Sequence, residues 1–96
     1  MAKVTFEKWD DPTTARAFGG TFEYLFRVYA GRRRVGVIEK SIGAYEYNDR
    51  GKLVRPVMFR FVPDYDLISQ CEDKWELVRT GKNITECKAQ VRELFA

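Results

Sequence analysis

The chain has 96 residues, about the length of one domain, and its 17 basic and 14 acidic side chains leave a net charge of +3. At 45% hydrophobic and 15% aromatic, it lies well outside the composition of disordered segments. The positive balance is too mild for the basic face of a dedicated DNA-binding domain, and its sign excludes an acidic DNA mimic.

Met1 is followed by Ala2, Lys3, Val4, Thr5 and Phe6 and then by charge, which is not the basic-then-apolar pattern of a secretory signal. No apolar run approaches the roughly 20 residues that span a bilayer. Cys71 and Cys87 form no CxxC and there is no histidine, so both cysteines are expected to be small, buried, unpaired residues. Asn83-Ile84-Thr85 matches a glycosylation sequon, which carries no information without a secretory route. One α+β domain over residues 1–96, in the cytoplasm, is the expectation.

In chain order, residues 3–9 alternate, with Val4 and Phe6 on one side and Thr5, Glu7 and Trp9 on the other, and predict a first strand. Asp10-Asp11-Pro12-Thr13-Thr14 is turn chemistry, and an aspartate here is placed to cap a helical turn through Arg16 before Gly19-Gly20 ends it. Residues 21–30 carry the clearest strand pattern. Phe22, Tyr24, Phe26 and Val28 share one face, while Glu23, Arg27, Tyr29 and Leu25 take the other. Residues 30–33 predict a hairpin turn, with Val35 to Ile42 as the returning strand and Gly43 as its interruption. Residues 44–48 are expected to extend the sheet up to a turn at Asn48-Asp49-Arg50-Gly51. Leu53 to Val62 is the next strand, where Pro56 implies an edge or a bulge.

Pro63-Asp64 closes that strand and opens a short helix in which Leu67, Ile68 and Cys71 fall at helical spacing. Residues 74–80 fit either a continuation of the helix or a strand with Trp75, Leu77 and Arg79 on one face. The polar Glu72-Asp73-Lys74 favours the strand. Asn83 as N-cap with Glu86 three residues on predicts a helix over 84–95, with an apolar stripe of Ile84, Cys87, Val91, Leu94 and Phe95. The fold expected is an antiparallel β-meander of about four to five strands, with a C-terminal amphipathic helix and a short helix packed largely on one face.

Catalytic groups are scarce. Without histidine there is no ordinary Ser–His or Cys–His pair and no zinc-type ligand cluster, and no phosphate-binding glycine loop occurs. Asp64 and Asp66 lie close together, but carboxylates at a helix start ordinarily cap it and complement its dipole. The expectation is no enzyme, with no catalytic residue, cofactor, metal or small-molecule substrate.

Three features fit binding instead. Arg32, Arg33 and Arg34 sit at the first hairpin tip, where three arginines in a row cannot all turn back to internal partners. Arg50, Lys52 and Arg55 surround the next turn, which in a simple meander lies at the other end of the sheet. Tyr29, Tyr45 and Tyr47 are the aromatics expected at the surface. Tyrosine with arginine is a favoured composition of interface hot spots. The remaining aromatics read as core, and the RRM signature is absent.

The ending Trp75-Glu76-Leu77-Val78-Arg79-Thr80-Gly81 followed by Ile84-Thr85-Glu86-Cys87-Lys88-Ala89 resembles the strand–glycine turn–helix endings of small bacteriophage and prophage accessory proteins. In kind the chain is similar to anti-CRISPR proteins, short domains that block a defence complex by covering its surfaces. The resemblance implies stoichiometric inhibition of a host protein or ribonucleoprotein, such as a CRISPR effector, in the bacterial cytoplasm. The alternative is a small RNA- or DNA-binding module that grips the nucleic-acid backbone with its arginine-rich turns.

Overall fold

The structure, a computed structural model, describes residues 3–10, 20–69 and 76–96, together with the backbone of 14–17. The chain is α+β and mostly strand. Five strands follow one another across an antiparallel sheet: β1 (Val4–Lys8), β3 (Gly20–Ala30), β4 (Arg33–Ile42), β7 (Val57–Pro63) and β8 (Arg79–Gly81). A sixth, β2 (Thr14–Ala17), pairs with the first half of β3 along the same edge that β1 pairs with in its second half. The backbone of 14–17 is therefore strand, not the helical turn that the aspartates suggested.

The β3–β4 hairpin turns through Gly31 and Arg32, with Gly31 at φ 63°. Two-residue hairpin turns of this kind favour glycine because its missing Cβ removes the left-handed penalty. Register shifts in this ladder between Tyr24 and Phe26, and between Val28 and Tyr29, mark bulges. The first bulge corrects the single aromatic stripe expected over 22–28. Leu25 is an extra residue, so Tyr24 lies opposite Glu39 while Phe26 lies opposite Ile38. Phe22 and Tyr24 consequently face one side of the sheet and Phe26 and Val28 the other.

The second side carries the core. Val28, Val35, Ile38, Phe61, Cys87 and Val91 are buried together, and Val4, Phe6, Phe26, Ala30, Phe59, Leu67, Ile84, Leu94 and Phe95 pack around them. Burying a side chain such as Phe61 contributes about 2–3 kcal/mol. Phe95 meets its ring edge-on at 5.9 Å.

Helix α2 (Ile84–Leu94) supplies one wall of this core. Its start is capped as the sequence predicts: Asn83 Oδ1 accepts from the Glu86 amide at 2.8 Å, and Glu86 in turn accepts from the Lys82 amide at 3.4 Å. The helix lies against β7 and β8. Close approach is possible because residue 81 is glycine; a Cβ there would lie 2.5 Å from the Cys87 backbone nitrogen. The short helix α1 (Tyr65–Ile68) adds Leu67 to the same core, so both helices contribute to one face.

Two further expectations change. Residues 44–48 do not extend the main sheet, and Leu53–Val62 is not one strand. Glu46–Tyr47 (β5) and Leu53–Val54 (β6) pair with each other as a separate two-stranded sheet, and the chain re-enters the main sheet only at Val57. The break falls at Arg55-Pro56, where proline has no amide to give a ladder. Gly43 and Pro56 close the base of the excursion, the Gly43 amide donating to the Pro56 carbonyl at 2.8 Å. In the 74–80 segment the strand begins at Arg79 and runs through Gly81, with Leu77 in the turn before it. Cys71 and Trp75 lie outside the described residues. No described helix is long and apolar enough to cross a membrane.

Candidate functional site

The β5–β6 hairpin concentrates apolar side chains in solvent. Tyr45, Tyr47 and Leu53 are 66%, 75% and 57% exposed, and Val57 and Met58 just beyond are about half exposed. Tyr47 and Leu53 are direct ladder partners. Strand alternation puts Tyr45 and Arg55 on that same hairpin face, and the Arg55 guanidinium carbon lies 5.0 Å from the Tyr45 ring centre.

This hairpin is held by specific bonds. Asn48 Oδ1 accepts from the amides of Arg50 and Lys52, both at 2.9 Å, which fixes the turn. Gly51 occupies a left-handed conformation at φ 74°. Arg55 Nε donates to the Gly43 carbonyl at 3.1 Å, tying the hairpin to the end of β4. The result is an apolar centre with Arg50, Lys52 and Arg55 beside it and with Glu46 and Asp49 also exposed. Val57 and Met58 continue the surface into an open groove that they line with Thr80, Gly81, Lys82 and Glu86. The first two residues of β7 have no partner on β8.

The arginines of the β3–β4 tip are at the other end. β4 spans ten residues, so about 30 Å separates the two turns at ~3.3 Å per residue. Arg32 and Arg33 are exposed. Arg34 is engaged: its Nε is 3.4 Å from Asp64 Oδ2, and its guanidinium carbon lies 5.9 Å from the Trp9 ring centre. Asp64 is the N-cap residue of α1 but makes no side-chain capping bond, taking Arg34 instead. Tyr29, expected at the surface, is half-buried in the sheet between Thr5 and Arg34 in register. The structure thus groups Tyr45, Tyr47, Arg50, Lys52 and Arg55, leaves Arg32 and Arg33 as a separate cationic tip, and places Tyr29 and Arg34 within the sheet's own contacts.

A third region was not singled out by sequence. On the sheet face away from α2, Trp9 stacks at a tilt on Tyr24 with centroids 5.2 Å apart, and Arg27 covers Trp9 at 4.2 Å. Arg27 also pairs with Asp10 at 3.0 Å and Glu7 at 3.3 Å. Its guanidinium pKa is raised, first by the hydrogen bond to Asp10, so it stays charged. Beside it Arg60 pairs with the buried Glu39 and lies 5.5 Å from the Phe22 ring centre. The cations here already have carboxylate partners. The signal available in the sequence is that Val37 and Glu39, two apart on one strand, share a face, which places a carboxylate beside an apolar residue there.

Among the described residues no cluster of three or more histidine, cysteine, aspartate or glutamate side chains is placed to hold a metal ion. Cys87 is buried, and its thiol is pushed up to about 11, mainly by loss of solvent, with a backbone hydrogen bond at Phe61 offsetting part of the shift. A thiol held neutral in this way is a packing residue and a poor nucleophile.

Compared with protein-family models, curated proteins and solved structures, the chain matches none.

Proposed function

We propose that this chain is a non-enzymatic binding protein of the phage accessory kind. In this reading it acts in the bacterial cytoplasm, inhibiting a host defence complex such as a CRISPR effector by covering part of its surface. The observation that carries the reading is the β5–β6 hairpin, a bonded, pre-formed element that holds Tyr45, Tyr47 and Leu53 in solvent beside Arg50, Lys52 and Arg55. Exposing so much apolar surface on a stiff support is unfavourable unless a partner covers it. Tyrosine and arginine are also the side chains that most often dominate interface energetics. Arg32 and Arg33, at the far end, serve as a second contact with an acidic patch or guide-RNA backbone.

The alternative, one nucleic-acid backbone gripped by both arginine turns, is less well supported, because the turns lie at opposite ends of β4.

The test is phage plaquing on bacteria that carry active CRISPR systems of several types and express either this chain or its Tyr45→Ala/Tyr47→Ala variant. Restored plaquing with the parent chain, lost with the variant, supports the reading. Immunity untouched across the panel refutes the defence target. A parallel tagged pull-down with nuclease treatment separates a protein partner from bulk nucleic acid. Reversal of Arg32, Arg33 and Arg34 to glutamate tests the tip, and undiminished inhibition would remove that contact.

A further inference from the structure

The α2 side of the sheet is incompletely covered. Helix α2 lies against β7 and β8, whereas the phenylalanines of β1 and β3 on the same face remain only half-buried. Phe6 and Phe26 meet edge-to-face with ring centres 6.5 Å apart. What covers them is charge. Lys88 Nζ lies 4.1 Å from the Phe26 ring centre and 5.2 Å from that of Phe6, and the Arg92 guanidinium carbon lies 5.1 Å from the Phe6 centre.

Lys8 is the ladder partner of Phe26 and points to the same face, which adds a third cation. None of Lys8, Lys88 and Arg92 has a carboxylate within ion-pairing distance among the described residues. Helix geometry explains part of this. Lys88 and Arg92 are four residues apart on one flank of α2, while Glu86 and Glu93 lie about 100° or more around the helix. Glu7 projects to the opposite sheet face and is held by Arg27. Glu23, on the near face of β3, lies opposite Lys40, three residues from Phe26.

We propose that this strip of Phe6, Phe26, Lys8, Lys88 and Arg92 is a binding site for single-stranded nucleic acid. Three cations with no ion-pair partner among the described residues match a phosphate backbone, and two adjacent ring surfaces match unpaired bases, which stack on aromatic side chains irrespective of sequence. Lys88 and Arg92 reach the rings through flexible stems, so phosphates draw their charged ends outward and leave the ring surfaces to the bases. A duplex keeps its bases stacked inside and has nothing to offer the rings. An acidic peptide satisfies the cations but not the rings. The inference is independent of the hairpin reading, since it uses a different surface.

The experiment is fluorescence anisotropy with a labelled oligothymidylate of about 15 nucleotides, a duplex of equal length and polyglutamate, each titrated with the full chain at several salt concentrations. The expected result is single-strand binding that weakens with salt at a log–log slope near −2, about 0.7 per phosphate contact. Duplex and polyglutamate should bind at least about tenfold more weakly. Lys88→Gln/Arg92→Gln should lose about tenfold or more in affinity and flatten the slope by about 1.4, while Lys3→Gln, exposed and on the opposite sheet face, should bind as the parent does. Should the double glutamine variant not fold, Phe6→Leu keeps an apolar side chain against the core while removing the ring, and should weaken binding several-fold with the salt slope unchanged. No single-strand binding at low salt overturns the proposal, as does equal binding of polyglutamate or duplex. Undiminished affinity in Lys88→Gln/Arg92→Gln also overturns it, and shows that the cations merely shield the rings.

Discussion

Arg60 donates through Nε to Oε1 of Glu39 at 2.8 Å, and the two residues are direct partners across the β4–β7 ladder. A terminal nitrogen of the same guanidinium contacts that oxygen too. Glu39 is the buried polar residue of the described chain, at 5% exposure, while the Arg60 side chain keeps about a third of its surface in water. The carboxylate therefore depends on a partner that itself remains hydrated. Arg60→Met should cost about 2–4 kcal/mol, because it leaves a buried charge uncompensated. Arg27→Met, whose partners Glu7 and Asp10 are exposed and screened by water, should cost clearly less through its ion pairs. Urea denaturation of both variants measures the contrast; equal losses would mean that Glu39 finds another partner when Arg60 is removed.

Gly81→Ala should destabilise by about 2–3 kcal/mol, since a methyl group there meets helix backbone and cannot be relieved by a side-chain rotation. The loss should appear mainly as separation of α2 from β8. Faster hydrogen exchange of the α2 amides, with the β3–β4 amides still protected, is the expected signature.

Asn83→Ala removes the acceptor for the Glu86 amide and should cost about 1 kcal/mol. Asn83→Asp keeps an acceptor and adds favourable charge at the helix start, so it should match or exceed the parent in thermal melts.

Cys87 gives a pH dependence of definite sign. Its folded thiol titrates at about 11, above the ordinary value of 9.0, because burial disfavours the thiolate. The neutral form is thus favoured by folding, and its contribution is complete below pH 9 and is lost as pH rises through about 11. In a Cys71→Ser background, melting temperature should fall more steeply between pH 9 and 11 than in the same protein carrying Cys87→Ala. Parallel curves would show that the thiol is not the titrating group. The same burial predicts that the Cys87 thiol reacts with disulfide reagents only when the chain unfolds.

Tyr45→Ala/Tyr47→Ala should leave stability within about 0.5 kcal/mol of the parent, because both rings stand in solvent and outside the core. A larger loss in chemical denaturation would mean that the hairpin supports the fold and is not reserved for a partner.

Several features were legible in the sequence because their causes are local. The capped C-terminal helix follows from Asn83, Glu86 and a 3.6-residue apolar spacing, all within one segment. The β3–β4 hairpin follows from alternation on both sides of Gly31, and the buried Cys87 from its place in the helical stripe. The separation of Arg50, Lys52 and Arg55 from the arginine tip follows from a strand of ten residues between two turns.

Tertiary structure decided the rest. The bulge at Leu25 sends Phe22 and Tyr24 to one face and Phe26 to the other, and alternation cannot foresee it because bulges are set by register with a partner strand. Gly43 and Arg55-Pro56 each read as an interruption, but only their mutual hydrogen bonding lifts β5 and β6 out of the main sheet. Glu39 with Arg60, Arg34 with Asp64, and Lys88 with Phe6 and Phe26 join residues 20 or more positions apart. Residue identity states that each carries a charge or a ring. Which charge meets which ring is determined by strand order and by where α2 crosses the sheet, and neither is encoded in any short stretch of chain.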